Sequence, residues 1–163
     1  MNKPGIAIDI PGFGLRLIRV VVSDYTGTHS LGGAVEPAVK QKLRELARVI
    51  DLHIVTADSF GTAERELEGI AIPHKLRSAK HDAEKAEYVR QFELPHVAAF
   101  GNGNNDRLML RAVKEAGGLA IAVDNGEGCA LDAILNAHLL IAGAANAIDL
   151  LLDPVRLKAT LRS

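Results

Sequence analysis

The sequence predicts a single α/β domain of three layers: a mainly parallel sheet covered by helices on both faces, with a β-hairpin at its start. Three observations predict it. From Glu36 onward, short apolar runs alternate with stretches of helical spacing, the pattern of parallel strands joined by crossover helices. Before Glu36, two apolar stretches flank Pro11-Gly12-Phe13-Gly14, and Pro and Gly together mark a turn. Finally, 163 residues with no repeat, low-complexity tract or linker suit one domain over residues 1–163.

The elements follow in order. Ile6–Ile10 and Leu15–Ser23 read as the arms of the hairpin, the second long and Val-rich. Glu36 to Asp51 is a helix, with Pro37 suited to its first turn and Val39, Leu43, Leu46, Ala47 and Ile50 at helical spacing. Leu52–Thr56 is a strand, Ala63–Glu68 a helix, and Ala71–His74 a weak strand interrupted by Pro73. Lys80–Phe92 is a helix and His96–Phe100 a strand. Asn105–Ala116 is a helix that Gly117-Gly118 terminates. Leu119–Val123 is a strand, Gly128–Asn136 a helix and His138–Ala142 a strand. The Ala-rich run Ala144–Leu152 precedes Asp153-Pro154, and Val155–Leu161 forms a short helical tail.

Composition narrows the function classes. Hydrophobic residues make up 48% and charged residues 24%, but aromatics only 4%, so the core rests on Ala, Val, Ile and Leu. A net charge of -1 gives no reason to expect nucleic acid or an anionic membrane as partner. No apolar run approaches the ~20 residues of a membrane span, and Met1 to Gly5 does not read as a secretory signal. The single cysteine forms no internal disulfide. The expectation is a cytoplasmic protein.

In parallel sheets the ligand site lies beyond the carboxyl ends of the strands, which directs attention to four loops. Asp24-Tyr25-Thr26-Gly27-Thr28 follows the Val-rich strand. There Asp24 would sit above the sheet, and Gly27 would let backbone amides face an anion, although Asp, Thr and Gly are also ordinary turn residues. Thr56 ends the next strand, where its hydroxyl can meet an anion. Gly101-Asn102-Gly103-Asn104-Asn105-Asp106 leaves an apolar strand and opens a helix. Asn102 and Asp106 there offer oxygens to a hard cation such as Mg²⁺, and a helix cap alone needs only one such residue. Asp124-Asn125-Gly126-Glu127-Gly128 reads as a turn before a helix. Lys85 by itself reads as a solvated surface lysine, with Lys80 as a competitor, though a lysine early in a helix is poorly matched to the helix dipole. His29 reads as an exposed loop residue and Cys129 as a small packing residue at a helix start.

In the order Asp24, Thr56, Lys85, Asn102/Asp106, these elements resemble the haloacid dehalogenase superfamily of phosphotransferases, whose sheet is Rossmann-like, and the likeness covers essentially the whole chain. The first loop resembles the P-type ATPase form of the nucleophile motif, and the subgroup most similar is the soluble P-type-ATPase-like phosphatases. The ending Ala147 to Leu157 is also similar to theirs. The resemblance implies that Asp24 attacks phosphorus and becomes an aspartyl phosphate. It implies that Mg²⁺ is held by Asp24, the Thr26 main-chain carbonyl and Asn102, with Asp106 helping directly or through water. Thr56 and Lys85 would bind the transferring phosphoryl group, Gly27, Thr28 and Asn105 would add donors, and Asp58 would brace its loop.

Two positions depart from the family pattern. Thr26 replaces a second carboxylate, and a lost acid–base group costs about 10²–10⁴-fold in rate. Asn102 replaces an Asp and removes a negative charge from the metal site. Both point to slow turnover, or to a module that binds a phosphate group or a protein without catalysis. A response-regulator receiver also uses Asp, Thr and Lys around Mg²⁺, but it needs an acidic pair after its first strand, and none precedes Asp24. Only 27 residues, 29 to 55, separate Thr28 from Thr56. That gap and the similar one before Lys85 are too short for a cap domain. The expected site is open, and takes a small or macromolecular phosphorylated substrate or is roofed by a second subunit in a homo-oligomer.

Overall fold

The computed structural model describes residues 2–57, 61–72, 77, 78 and 81–163. Among the described residues β1 (Ile6–Ile10) and β2 (Gly14–Ile18) form the hairpin, followed by β3 (Val20–Ser23), α1 (Pro37–Val49), β4 (Asp51–Thr56) and α2 (Ala63–Glu66). Then come β5 (Arg77–Ser78), α3 (Asp82–Val89), β6 (Val97–Gly101), α4 (Arg107–Glu115) and β7 (Leu119–Asp124). The chain continues through α5 (Leu131–Leu135), β8 (Leu139–Ala142), α6 (Ala144–Leu152) and α7 (Val155–Leu161).

The described strands of the main sheet lie in the order β5-β4-β3-β6-β7-β8, each pairing parallel. Side chains of a strand alternate between the two faces, and both faces here are covered. Val21, Leu52, Ile54, Phe100, Ile121 and Val123 join α1, α6, α7 and the hairpin in one core. Val22, Val55, Ala99, Ala120 and Ala122 join residues of α3 and α4 in the other. The expected α/β architecture with its hairpin is what the chain adopts.

The chain passes from β3 outward to β4, then returns to the opposite edge of β3 at β6. Such a reversal opens a crevice at the strand ends, where ligands of parallel sheets sit. Ser23 is level with Ile54 and with Phe100. This register brings the residues after all three strands to the same crevice.

Several boundaries differ from the sequence reading. The Val-rich arm breaks at Arg19, because its N–H bonds the carbonyl of His96, just before β6, and its own carbonyl accepts from the N–H of Asp51, the first residue of β4. The hairpin is therefore β1 with β2 alone, and β3 belongs to a different sheet. Ala71 and Ile72 are not a strand; the partner of β4 is Arg77–Ser78, and Pro73, His74 and Lys80 lie outside the described residues. The helix expected from Gly128 starts at Leu131. The Asp124 carboxylate instead takes the N–H groups of Gly126 and Gly128 in a turn, and Gly128 sits at φ +91°. Cys129 is consequently half-buried in that turn rather than in a helix. No helix among the described residues is long and apolar enough to cross a membrane.

Gly118 joins α4 to β7 where no side chain fits. A Cβ there would press on the Leu94 carbonyl and stand 2.7 Å from the Val97 carbonyl and 2.6 Å from Val113 Cγ1. Two of these neighbours are backbone and cannot rotate away. Gly118→Ala is expected to lower unfolding free energy by about 1–3 kcal/mol, read as a reduced urea midpoint with unchanged slope. An unshifted midpoint would mean that the α4–β7 junction yields.

Candidate active site

Asp24 follows the central strand directly, and its N–H donates to Phe100 O at 3.0 Å, continuing the β3–β6 ladder by one bond. The residue is only 4% exposed. The next residue, Tyr25, is fully buried and donates its hydroxyl to Gly33 O at 2.7 Å. The Tyr25 carbonyl accepts from the N–H groups of Thr28, His29 and Ser30 at 3.2, 2.9 and 3.2 Å, folding the chain back in a tight turn. Gly27 within that turn sits at φ +75°, and a Cβ there would collide with the Asn102 amide. Conformation and space both demand glycine.

The second half of the site comes from the loop after β6. Asp106 is fully buried, and its Oδ2 accepts from the N–H groups of Asn102 and Gly103 at 3.0 and 2.9 Å. Gly101 is required beneath it, because a Cβ there would lie 2.6 Å from Asp106 Cγ. Asn102 donates Nδ2 to Gly128 O at 3.3 Å. This bond turns Asn102 Oδ1 toward the loop after β3, where Thr28 Oγ1 stands 3.3 Å away.

Lys85 joins the halves. Its Nζ lies 2.7 Å from Asp24 Oδ1 and 2.7 Å from Asp106 Oδ1, and the side chain is fully buried on α3. The surface reading of Lys85 taken alone is therefore corrected. Burial pulls its ammonium down, but the charges of Asp106 and Asp24 outweigh burial and hold it above its ordinary value. The Asp24 carboxyl is pushed up to about 7 by burial first and by the charge of Asp106 second, against the pull of Lys85. When both carboxylates are ionised, the single ammonium leaves the pocket net negative, a setting that favours a further cation.

The donors present fit a hard divalent ion. Asp24 Oδ2 and Asn102 Oδ1 both face Thr28 Oγ1, at 3.2 and 3.3 Å. A hydroxyl has one proton, so Thr28 can serve only one of these oxygens at a time. Thr26 Oγ1 is buried without a hydrogen-bond partner among the described residues. Carboxylate, amide and backbone oxygens are Mg²⁺ chemistry rather than zinc chemistry. Among the described residues no group of three or more His, Cys, Asp or Glu side chains gathers to hold a metal. Both Asp106 oxygens are already engaged by Lys85 and by two amides.

Other candidates are distributed around this centre. Thr56 is buried at the end of β4, two residues beyond the one level with Ser23. Asp58, in the loop that follows, lies outside the described residues. Asn105 makes no side-chain hydrogen bond among the described residues; its Oδ1 lies over Gly103. His29 overturns its sequence reading: it is 1% exposed, with Nε2 2.7 Å from Ser23 Oγ. Sequence reasoning missed Ser23 as well, since a Ser at a strand end and a His in a polar loop carry no signal of their contact.

No protein-family model matches the chain. Uncharacterized protein MJ0073 of Methanocaldococcus jannaschii is 41% identical over 66 residues, which span 40% of this chain and 67% of that protein. The chain belongs to the family of this archaeal protein. Among solved structures, 3-deoxy-D-manno-octulosonate 8-phosphate phosphatase from Moraxella catarrhalis, determined with magnesium, phosphate and KDO, superposes with a TM-score of 0.67 at 18% identity, covering 87% of this chain and 90% of that one. A haloacid dehalogenase-like family hydrolase from Streptococcus pneumoniae gives 0.53 at 14% identity, over 80% and 96% of the two chains. The fold is that of the haloacid dehalogenase superfamily. The match covers nine-tenths of the Moraxella phosphatase, and the short gaps on either side of Thr56 leave no room for a cap domain. Asp24, Lys85 and Asp106 meet at the strand ends of this haloacid dehalogenase-type sheet.

Removing the shared cation tests the electrostatics. Lys85→Met is expected to destabilise by about 3–5 kcal/mol near pH 8, because it strands buried carboxylates. Asp24 already binds its proton more tightly folded than unfolded, and losing Lys85 raises its folded value further. A group with a raised folded pKa favours the folded state more as pH falls, so the deficit should shrink toward pH 5. Urea unfolding of both proteins at the two pH values measures it; a deficit independent of pH would mean that packing, not charge, is what Lys85 supplies.

Proposed function

We propose that the chain is a phosphohydrolase that transfers a phosphoryl group to Asp24 and then to water, dependent on Mg²⁺ and slow. The observation that carries this reading is the Lys85 ammonium held 2.7 Å from the carboxylate that directly follows the central strand. Asp24 must be ionised to attack, and Lys85 opposes the burial that would neutralise it. In phosphoryl transfer most of the catalytic effect is positioning and charge stabilisation, which a buried, doubly anchored lysine provides. As the phosphoryl group arrives, Lys85 can exchange its bond to Asp24 for one to a phosphoryl oxygen while keeping Asp106. Thr28, Thr56 and Asn105 supply hydroxyl and amide donors, and Gly27 lets the backbone approach. Asp24, the Thr26 carbonyl and Asn102 are the residues that would hold Mg²⁺, which when bound supplies neutralisation of the phosphoryl oxygens. Asp106, with both oxygens occupied, orients Asn102 and Lys85.

The weak point of the chemistry is proton transfer. Thr26 carries no acid or base, so the leaving oxygen departs without a carboxylic acid and water attacks without a carboxylate. Substrates with good leaving groups, such as acyl and aryl phosphates, fit such a site best. A second reading, a module that binds phosphate without turning it over, is favoured by the same Thr26 and by the neutral Asn102.

Asp24→Asn keeps the shape of the nucleophile and removes its charge. It is expected to lower Mg²⁺-dependent hydrolysis of an aryl phosphate by about 10³-fold or more in a protein that still folds. Activity within a few-fold of wild type would remove Asp24 from the reaction.

Thr26→Asp separates a slow enzyme from a binding module. A restored carboxylic acid should raise turnover most for poor leaving groups and little for nitrophenolate, which needs no proton. The comparison is a series of phosphate esters assayed with both proteins. Inactivity of wild type and variant on every ester, with no beryllofluoride taken up at Asp24, would select the binding module.

A further inference from the structure

His29 is five residues past Asp24 and nearly fully buried, yet the reading above gives it no part. Burial holds its imidazole down at about 4, so the ring is neutral. The Ser23 hydroxyl donates its one proton to the Asp24 main-chain oxygen at 2.8 Å. Toward His29 Nε2, 2.7 Å away, Ser23 Oγ is therefore the acceptor. The ring is the Nε2–H tautomer, and Nδ1 remains as a buried acceptor without a partner among the described residues. An unsatisfied buried nitrogen is unfavourable. Packing alone would be served better by an apolar side chain of similar size.

This pair holds the peptide between Asp24 and Tyr25. The carbonyl of that peptide accepts from Ser23, and its N–H, that of Tyr25, donates to the Asp24 carboxylate. Carbonyl and N–H of a planar trans peptide point in opposite directions, so fixing the first aims the second. The His29 N–H adds a second tie, donating to Tyr25 O at 2.9 Å. We propose that His29, acting through Ser23, is a positioning residue that keeps the Tyr25 N–H on the nucleophile carboxylate. It touches no substrate. Only its kinetic consequence rests on the phosphohydrolase reading.

The test compares the full-length wild type with Ser23→Ala, His29→Leu and His29→Gln. Hydrogen exchange of the Tyr25 amide is followed by NMR, with kcat and KM for an aryl phosphate and Mg²⁺ measured beside it. In Ser23→Ala and His29→Leu the Tyr25 amide should exchange at least about tenfold faster, with kcat down by about 10–10²-fold and KM little changed, the pattern of a misaimed group. Amides of β7, remote from the turn, should keep their protection. His29→Gln retains a donor of similar reach and should restore both readouts most of the way. Unchanged Tyr25 exchange in a folded Ser23→Ala overturns the inference, whatever the kinetics show. If His29→Leu does not fold, Ser23→Ala and His29→Gln decide by the same amide. An inactive wild type overturns the phosphohydrolase reading instead, because the exchange measurement needs no turnover.

Discussion

The ammonium of Lys85 sits between two buried carboxylates, and the geometry of the site follows from keeping those three charges together. Asp24 comes from the end of β3, Asp106 from the loop after β6, and Lys85 from α3. An ion pair taken out of water is favourable only when its remaining lone pairs are also satisfied. Asp106 meets that condition with two backbone amides, and those bonds shape the loop that presents Asn102. Asp24 Oδ2 faces a threonine hydroxyl that it shares with Asn102, so hydrogen-bonding capacity is left on that side of the triad.

A second set of bonds holds the loop after β3 against its surroundings. The Gly33 carbonyl accepts from both Tyr25 Oη and Thr62 Oγ1, each at 2.7 Å. The Val35 N–H donates to Glu66, which also meets Lys40 at 3.1 Å. The loop is therefore tied to α1 and α2, beside the sheet rather than on it. Its tip is held more loosely, by an exposed bond from Gly32 N–H to Glu127 at 3.2 Å. Function on loops depends on such anchoring to rigid elements. The ties are firm near Asp24 and weak at the rim.

On the proposed reading, Thr26 and Asn102 act on different steps. Thr26 limits proton delivery to the leaving group, and Asn102 reduces the charge available to a metal. Neither disturbs the Lys85–Asp24 pair, which depends on burial and register. On that reading, a protein with these two residues would receive a phosphoryl group but release it slowly.

Much of the fold was legible because its signals are local. Apolar runs and helical spacing located most strands and helices, and the order Asp24, Thr56, Lys85, Asn102/Asp106 picked out residues that the sheet brings to one crevice. Glycine requirements at Gly27 and Gly101 were half legible: turns could be expected, but the clash of Gly27 with Asn102 arises between loops, and that of Gly101 with Asp106 from the way its own loop closes. The break at Arg19 was hidden, since an apolar run does not reveal that its two halves pair in different sheets. The burial of Lys85 and His29 was hidden for the same reason. Lys85 lies 61 residues from Asp24 and 21 from Asp106 in sequence, and His29 is buried by the return of its turn beneath Tyr25. The sequence by itself determined which groups were available and near which strand end each would stand. Tertiary structure alone decided which of them lost water and met a partner, because desolvation and ion pairing depend on neighbours that only the folded chain supplies.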